Sequence, residues 1–206
     1  MVLMQAVRGQ VDKAQSICEK ANNLCNNFRI YNLVNPPIIA QNRDTKKWEK
    51  PLKGFIKINF DASVNDNRIG YGIILRDEDG FVLGGGGGFS EGNISVLEAK
   101  CIALEKSIEV VGKLNIQGDV IFETDNAGLV NKLNKGEEDI TIIGSRIRKC
   151  KEAFSLFKSA NLVWSHRSCN SMADLICTKM CSEGKTWFFE MDYPKEIHNV
   201  IIKDIT

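Results

Sequence analysis

The chain carries almost no excess charge: 27 lysines and arginines stand against 26 acids, a formal net of +1 over 206 residues. A polyanionic partner must then be met by a local patch, because no global field would attract it. Long apolar runs are also missing. None approaches the ~20 residues of a membrane span, and residues 1–8 have neither the basic start nor the long apolar stretch of a secretory signal. Histidine is scarce, with two in the whole chain. The seven cysteines fall at 18, 25, 101, 150, 169, 177 and 181. Cys169, Cys177 and Cys181 with His166 match none of the paired spacings of a zinc site. Free thiols in a reducing compartment are the expectation, which leaves the Asn93-Ile94-Ser95 sequon without a role. Five consecutive glycines, 84–88, are not followed by Gly-Lys-Ser/Thr and sit in a strand pattern. That excludes a phosphate loop and points to a bulge or a close backbone approach. No internal repeat is present.

What remains is an ordinary globular composition, 43% hydrophobic and 26% charged, sufficient to bury a core without disulfides or metal. Residues 1–50 read as an N-terminal helical extension and basic linker, broken at Asn35-Pro36-Pro37. Residues 51–183 read as the compact domain, and 184–206 as an apolar tail that docks back on it. Within the domain, Ile56, Ile58 and Phe60 alternate with Lys57, Asn59 and Asp61, the period of a half-buried strand. A second strand covers 71–77. Asp79-Gly80 marks a hairpin, and a third strand returns over 81–89. A helix follows at 94–112, with Leu97, Cys101, Leu104, Ile108 and Val111 in one stripe and Gly112 to end it. A strand over 120–125, a short helix near 127–133, a basic helix over about 140–158, a strand over 161–164 and a helix over 170–183 complete the domain. The order predicts an α/β fold, a mixed sheet flanked by helices.

Four acids stand at telling places. Asp61 and Asp125 lie toward the C-terminal ends of strands, Glu98 in the first turns of a helix, and Asp174 in the last helix. Each has a local alternative: a turn-forming Asp61, a capping box from Ser95 to Glu98, an N-cap at Asp125, and a solvated Asp174.

Five stretches carry a resemblance: Lys57–Ser63 around Asp61, Gly70–Gly80, Leu97-Glu98-Ala99, Glu123-Thr124-Asp125-Asn126, and Arg167 with Asn170, Ala173 and Asp174. In this order they resemble the type 1 ribonuclease H family, most closely the reverse transcriptase-like domain common in plants and often derived from retroelements. The resemblance spans about residues 48–183. It implies a ribonuclease H-like fold with a five-stranded mixed sheet whose first three strands are antiparallel. It also implies that Asp61, Glu98, Asp125 and Asp174 are catalytic and hold two magnesium ions, with manganese as a substitute. In the family, Asp61 would bridge the ions, Glu98 and Asp125 would serve one, and Asp174 the other. Hard oxygen donors suit magnesium, and paired ions clamp the attacking and leaving oxygens of a phosphodiester. The implied activity is endonucleolytic hydrolysis of the RNA strand of an RNA–DNA hybrid. A monomer inside the cell, in the nucleus or cytoplasm, is the accompanying expectation.

Ala62 stands where the family often has glycine, and His166 where proline is usual. Arg167, Asn170 and His166 are the loop candidates for substrate binding, with Arg167 the better match and His166 the group whose pKa permits a kinetic role. The family's separate hybrid-binding module is not visible, which leaves Arg146, Arg148 and Lys149 on the basic helix, or the arm at 43–53, to meet phosphates. Two other readings stand beside this: a catalytically inactive nucleic-acid-binding domain derived from a retroelement, and a zinc-stabilised interaction module.

Overall fold

The structure, a computed structural model, describes residues 46–65, 67–135 and 139–205. The expected helix over 1–30 and the linker up to residue 45 lie outside the described residues.

Strand β1 (Phe55–Asn65) shows the alternation read in the sequence: Ile58, Phe60 and Ala62 are buried in one apolar cluster. Lys57, Asn59 and Asp61 turn to the other face, because successive side chains on a strand alternate. β2 (Arg68–Arg76) and β3 (Val82–Glu91) continue it as an antiparallel meander. The hairpin between them closes at Gly80, whose φ of 90° lies in the left-handed region. Asp77 Oδ1 accepts from the N–H groups of Asp79 and Phe81 at 3.0 and 2.8 Å. On the other side, β4 (Asp119–Thr124) runs parallel to β1, and β5 (Ser159–Trp164) parallel to β4.

A sixth strand departs from the expectation of five. β6 (Trp187–Phe189) pairs antiparallel with β3, so the sheet order is β5-β4-β1-β2-β3-β6. Three residues are too few to show an alternation, which is why the tail read only as apolar. β6 also explains the glycine run. A Cβ at Gly86 would stand 2.7 Å from the Trp187 carbonyl oxygen, and one at Gly87 2.7 Å from Ile176 Cγ2. β3 is bare because a strand and a helix both press on it.

Adjacent residues of β2 divide the core. Ile73 and Leu75 join the cluster under α1 (Val96–Lys113), α2 (Ala127–Lys135) and α3 (Ile142–Ala153). Ile74 joins the cluster under α4 (Ser171–Glu183) and α5 (Lys195–Ile205), with Met172, Ile176, Met180, Ile197 and Ile201. Each fully buried side chain of this kind contributes about 1.5–3 kcal/mol. α1 runs past Gly112 to Lys113, and Asn115 instead takes the positive φ of 53°.

Trp48, which the sequence placed in the linker, is 5% exposed and packs on the domain. Its ring lies under the Arg76 guanidinium, and its Nε1 donates to Asn59 Oδ1 at 2.9 Å. Arg76 in turn pairs with Asp204 of α5 at 3.0 Å.

Candidate functional site

The parallel pairing of β1 and β4 sets the site. Asn59 stands opposite Glu123 in the register, and Asn59 Nδ2 donates to Glu123 Oε2 at 2.8 Å. Two residues further along each strand, on the same face by the strand period, come Asp61 and Asp125. The third parallel strand, β5, leads out through Ser165, whose N–H donates to the Thr124 carbonyl at 2.9 Å, into a 3-10 turn at Arg167–Cys169. α4 begins there and carries Asp174 in its first turn. The site therefore lies at the carboxyl ends of β4 and β5, alongside Asp61 in the middle of the longer β1. This is the end of the parallel strands where α/β sheets place their ligands.

Between Asp61 and Asp125 stands a residue that the sequence reading missed. The Lys100 ammonium of α1 donates to Asp61 Oδ1 and, at 3.0 Å, to Asp125 Oδ1. Lys100 is buried, as is Asp61. Burial pushes the Asp61 carboxyl up to about 6 against the pull of Lys100, and the charges of Asp125 and Asp174 add to the rise. Burial alone would pull Lys100 down, but Asp61 and Asp125 together hold it above the usual lysine range. A signal for this was present: Lys100 falls in helical phase with Leu104, Ser107 and Val111, all buried. A charge on a buried stripe requires a partner.

Glu98 is paired elsewhere. Its Oε1 is 3.7 Å from Arg146 Nε. The capping alternative is half realised, since Ser95 Oγ accepts the Glu98 N–H at 3.2 Å. Asp125 is not an N-cap. Asn126 fills that role, its Oδ1 accepting the Leu129 N–H at 2.8 Å. Trp164, half-exposed beside the site, fixes the end of β4 by donating its Nε1 to the Asp125 carbonyl at 3.1 Å.

The loop candidates divide. Arg167 is exposed and 3.7 Å from Asp174. His166 caps the 3-10 turn, its Nδ1 accepting the Ser168 N–H at 3.3 Å. Asn170, expected to touch substrate, is buried instead. Its Nδ2 donates to the Phe60 carbonyl at 3.0 Å, tying α4 to the residue before Asp61. On α3, Arg148 and Lys149 are exposed, whereas Arg146 turns inward to Glu105 at 2.7 Å as well as to Glu98.

The oxygens of Asp61, Asp125 and Asp174 have the chemistry that magnesium takes. Asp61 and Asp125 are paired with the Lys100 ammonium and Asp174 with Arg167, and among the described residues no three His, Cys, Asp or Glu side chains are grouped to hold an ion.

A mixed sheet of this strand order flanked by helices, with Asp61 on its central strand and Asp125 just past the neighbouring one, defines a ribonuclease H-like α/β protein. The chain belongs to the reverse transcriptase-like family, whose model matches residues 59–180. Among solved structures it is similar to the RNase H1 of the archaeon Halobacterium salinarum, with TM-score 0.58 and 17% identity over 63% of this chain and 99% of that one. It is also similar to the N-terminal RNase H domain of a Mycobacterium tuberculosis protein, with TM-score 0.57 and 18% identity over 64% and 96%. A third is LC11-RNase H1, solved in complex with an RNA/DNA hybrid, with TM-score 0.52 and 18% identity over 62% and 97%. Among curated proteins, none matches the chain in sequence.

Proposed function

We propose that this domain is a metal-dependent endonuclease that hydrolyses the RNA strand of RNA–DNA hybrids, leaving 5′-phosphate and 3′-hydroxyl ends. The observation that carries the reading is the convergence of Asp61 and Asp125 on one cation, with Asp174 within electrostatic reach. The family and the fold support it, as does the hybrid held by the LC11 relative.

Asp61, Asp125 and Asp174 would hold magnesium, or manganese in its place, and Glu98 would join them on releasing Arg146. The two bound ions would activate water and stabilise the leaving 3′-oxygen. The chain's own residues do the positioning. The Asn59–Glu123 hydrogen bond keeps the two strands in the register that sets Asp61 beside Asp125. Asn170 anchors the start of α4, and with it Asp174, to β1. Exposed Arg167 can take a phosphate oxygen through paired donors, and Arg148 with Lys149 can follow the backbone. A monomer is sufficient for all of these contacts.

A second reading has its own observation. Lys100 already stands between Asp61 and Asp125 as a counter-ion, which favours a domain that binds hybrid without turning it over. A labelled RNA–DNA hybrid incubated with the wild type and Asp61→Asn, with and without magnesium chloride, tests the proposal. Magnesium-dependent cutting by the wild type alone supports it. Equal cutting by both proteins would mean a contaminant and end it. Hybrid binding with no cutting would establish the second reading.

A further inference from the structure

We propose that Lys100 is a built-in counter-ion of the carboxylate site, occupying the cation position between Asp61 and Asp125 and competing there with a divalent metal ion. The inference rests on the reading of these acids as a metal centre, and it goes beyond that reading by naming what regulates loading.

Three observations place the ammonium. First, it donates to one oxygen on each of two acids from neighbouring strands, the Asp125 distance being 3.0 Å. Second, its side chain is only 8% exposed, so water does little to screen the pairing. Third, the helix that carries it is fixed: Ala99, Cys101, Ala103 and Leu104 on either side of it are buried in the core. This is not a surface lysine that happens to lie nearby.

Among the described residues, the cations Arg146 and Arg167 near the site do not pair with Asp61 or Asp125. Arg146 is turned to Glu98 and Glu105, and Arg167 is 77% exposed and faces Asp174. Two cations cannot sit between the same pair of oxygens. A magnesium ion that takes both Asp61 and Asp125 must first displace the ammonium, and four flexible carbons let that group swing away without moving the helix. The displacement opposes metal binding and lowers apparent affinity. In return, the metal-free site stays assembled, because Asp61 is never left buried beside Asp125 and Asp174 without a counter-charge.

The test is calorimetric titration of magnesium chloride into the wild type, Lys100→Met and Lys100→Gln, with thermal melts of each in EDTA. The expected result is that both neutral variants bind magnesium about tenfold tighter or more, within the usual range of coupling between sites. They should also melt lower than the wild type in EDTA, and Asp61→Asn in the Lys100→Met background should recover much of that loss. Should either variant fold poorly, the wild type gives an answer alone: with isotope-labelled lysine, the Lys100 resonance should shift as magnesium saturates the site. Neutral variants that bind magnesium no tighter than the wild type, or a Lys100 resonance unmoved at saturation, would overturn the proposal. Hybrid cleavage is read separately. Tighter metal binding with no cleavage by any variant retains the counter-ion and removes the nuclease reading. Cleavage by the wild type without tighter binding in the variants does the reverse.

Discussion

The guanidinium carbon of Arg76 lies 3.7 Å from the centre of the Trp48 ring, and the same guanidinium pairs with Asp204 at 3.0 Å. A fully buried arginine on the central meander is thus covered from both ends of the described chain. Trp48→Ala should lower unfolding stability by about 3–5 kcal/mol, the range for removing a buried aromatic. Urea denaturation checks it, and a loss under about 1 kcal/mol would return Trp48 to the linker.

Asp61 makes the metal-free protein sensitive to pH in a definite direction. Its folded-state carboxyl stands at about 6, above the ordinary 3.8. A raised acid binds its proton more tightly in the folded state, so its contribution is fully present below about pH 4 and is lost as pH rises through about 6. Melting temperatures in EDTA should show this fall for the wild type, and Asp61→Asn should flatten it. Parallel curves for the two proteins would show that Asp61 is not the group responsible.

The two kinds of arginine on α3 should behave differently. Replacing Arg148 and Lys149 with alanine should reduce the salt slope of hybrid binding, by up to ~0.9 for each phosphate no longer neutralised on a duplex of the B form. Arg146→Ala should leave that slope nearly intact and instead cost about 1–2 kcal/mol of stability, because Glu98 and Glu105 lose their partner. Binding measured at several salt concentrations separates the two. An equal slope change in both would place Arg146 on the substrate.

On the loop before α4, Arg167→Ala should reduce turnover more than His166→Ala, and its effect should hardly vary with pH. Arginine stays charged throughout, while His166 Nδ1 is engaged with Ser168. Rates measured from pH 6 to 8 decide between them. A large, pH-dependent loss confined to His166→Ala would reverse the assignment.

Local pattern carried the domain far. The alternation around Phe60, the Asp79-Gly80 hairpin and the apolar stripe of the helix after it are all short-range signals, and they placed the meander and the helix. That Asp61 would stand beside Asp125 followed from the family resemblance, not from local pattern. What escaped were pairings between distant residues. Lys100 and Asp61 are 39 positions apart, and Arg76 and Asp204 are 128 apart. A lysine in a helix and a tryptophan amid lysines both read as surface until a partner is known. Asn170 matched a motif, and a motif does not say which way a side chain faces. β6 was too short to have a period.

The glycine strand has a consequence for how the sheet assembles. Gly84 to Gly88 offer no side chains to hold a nascent strand, and glycine loses the most conformational freedom on becoming ordered. β3 can thus become ordered only against neighbours already in place, β2 on one side and the late-synthesised β6 on the other. In pulse-labelling hydrogen exchange during refolding, the β3 amides should gain protection after those of β1 and β2. Until then the outer edge of β2 is an open row of donors and acceptors, available to a second copy of the chain.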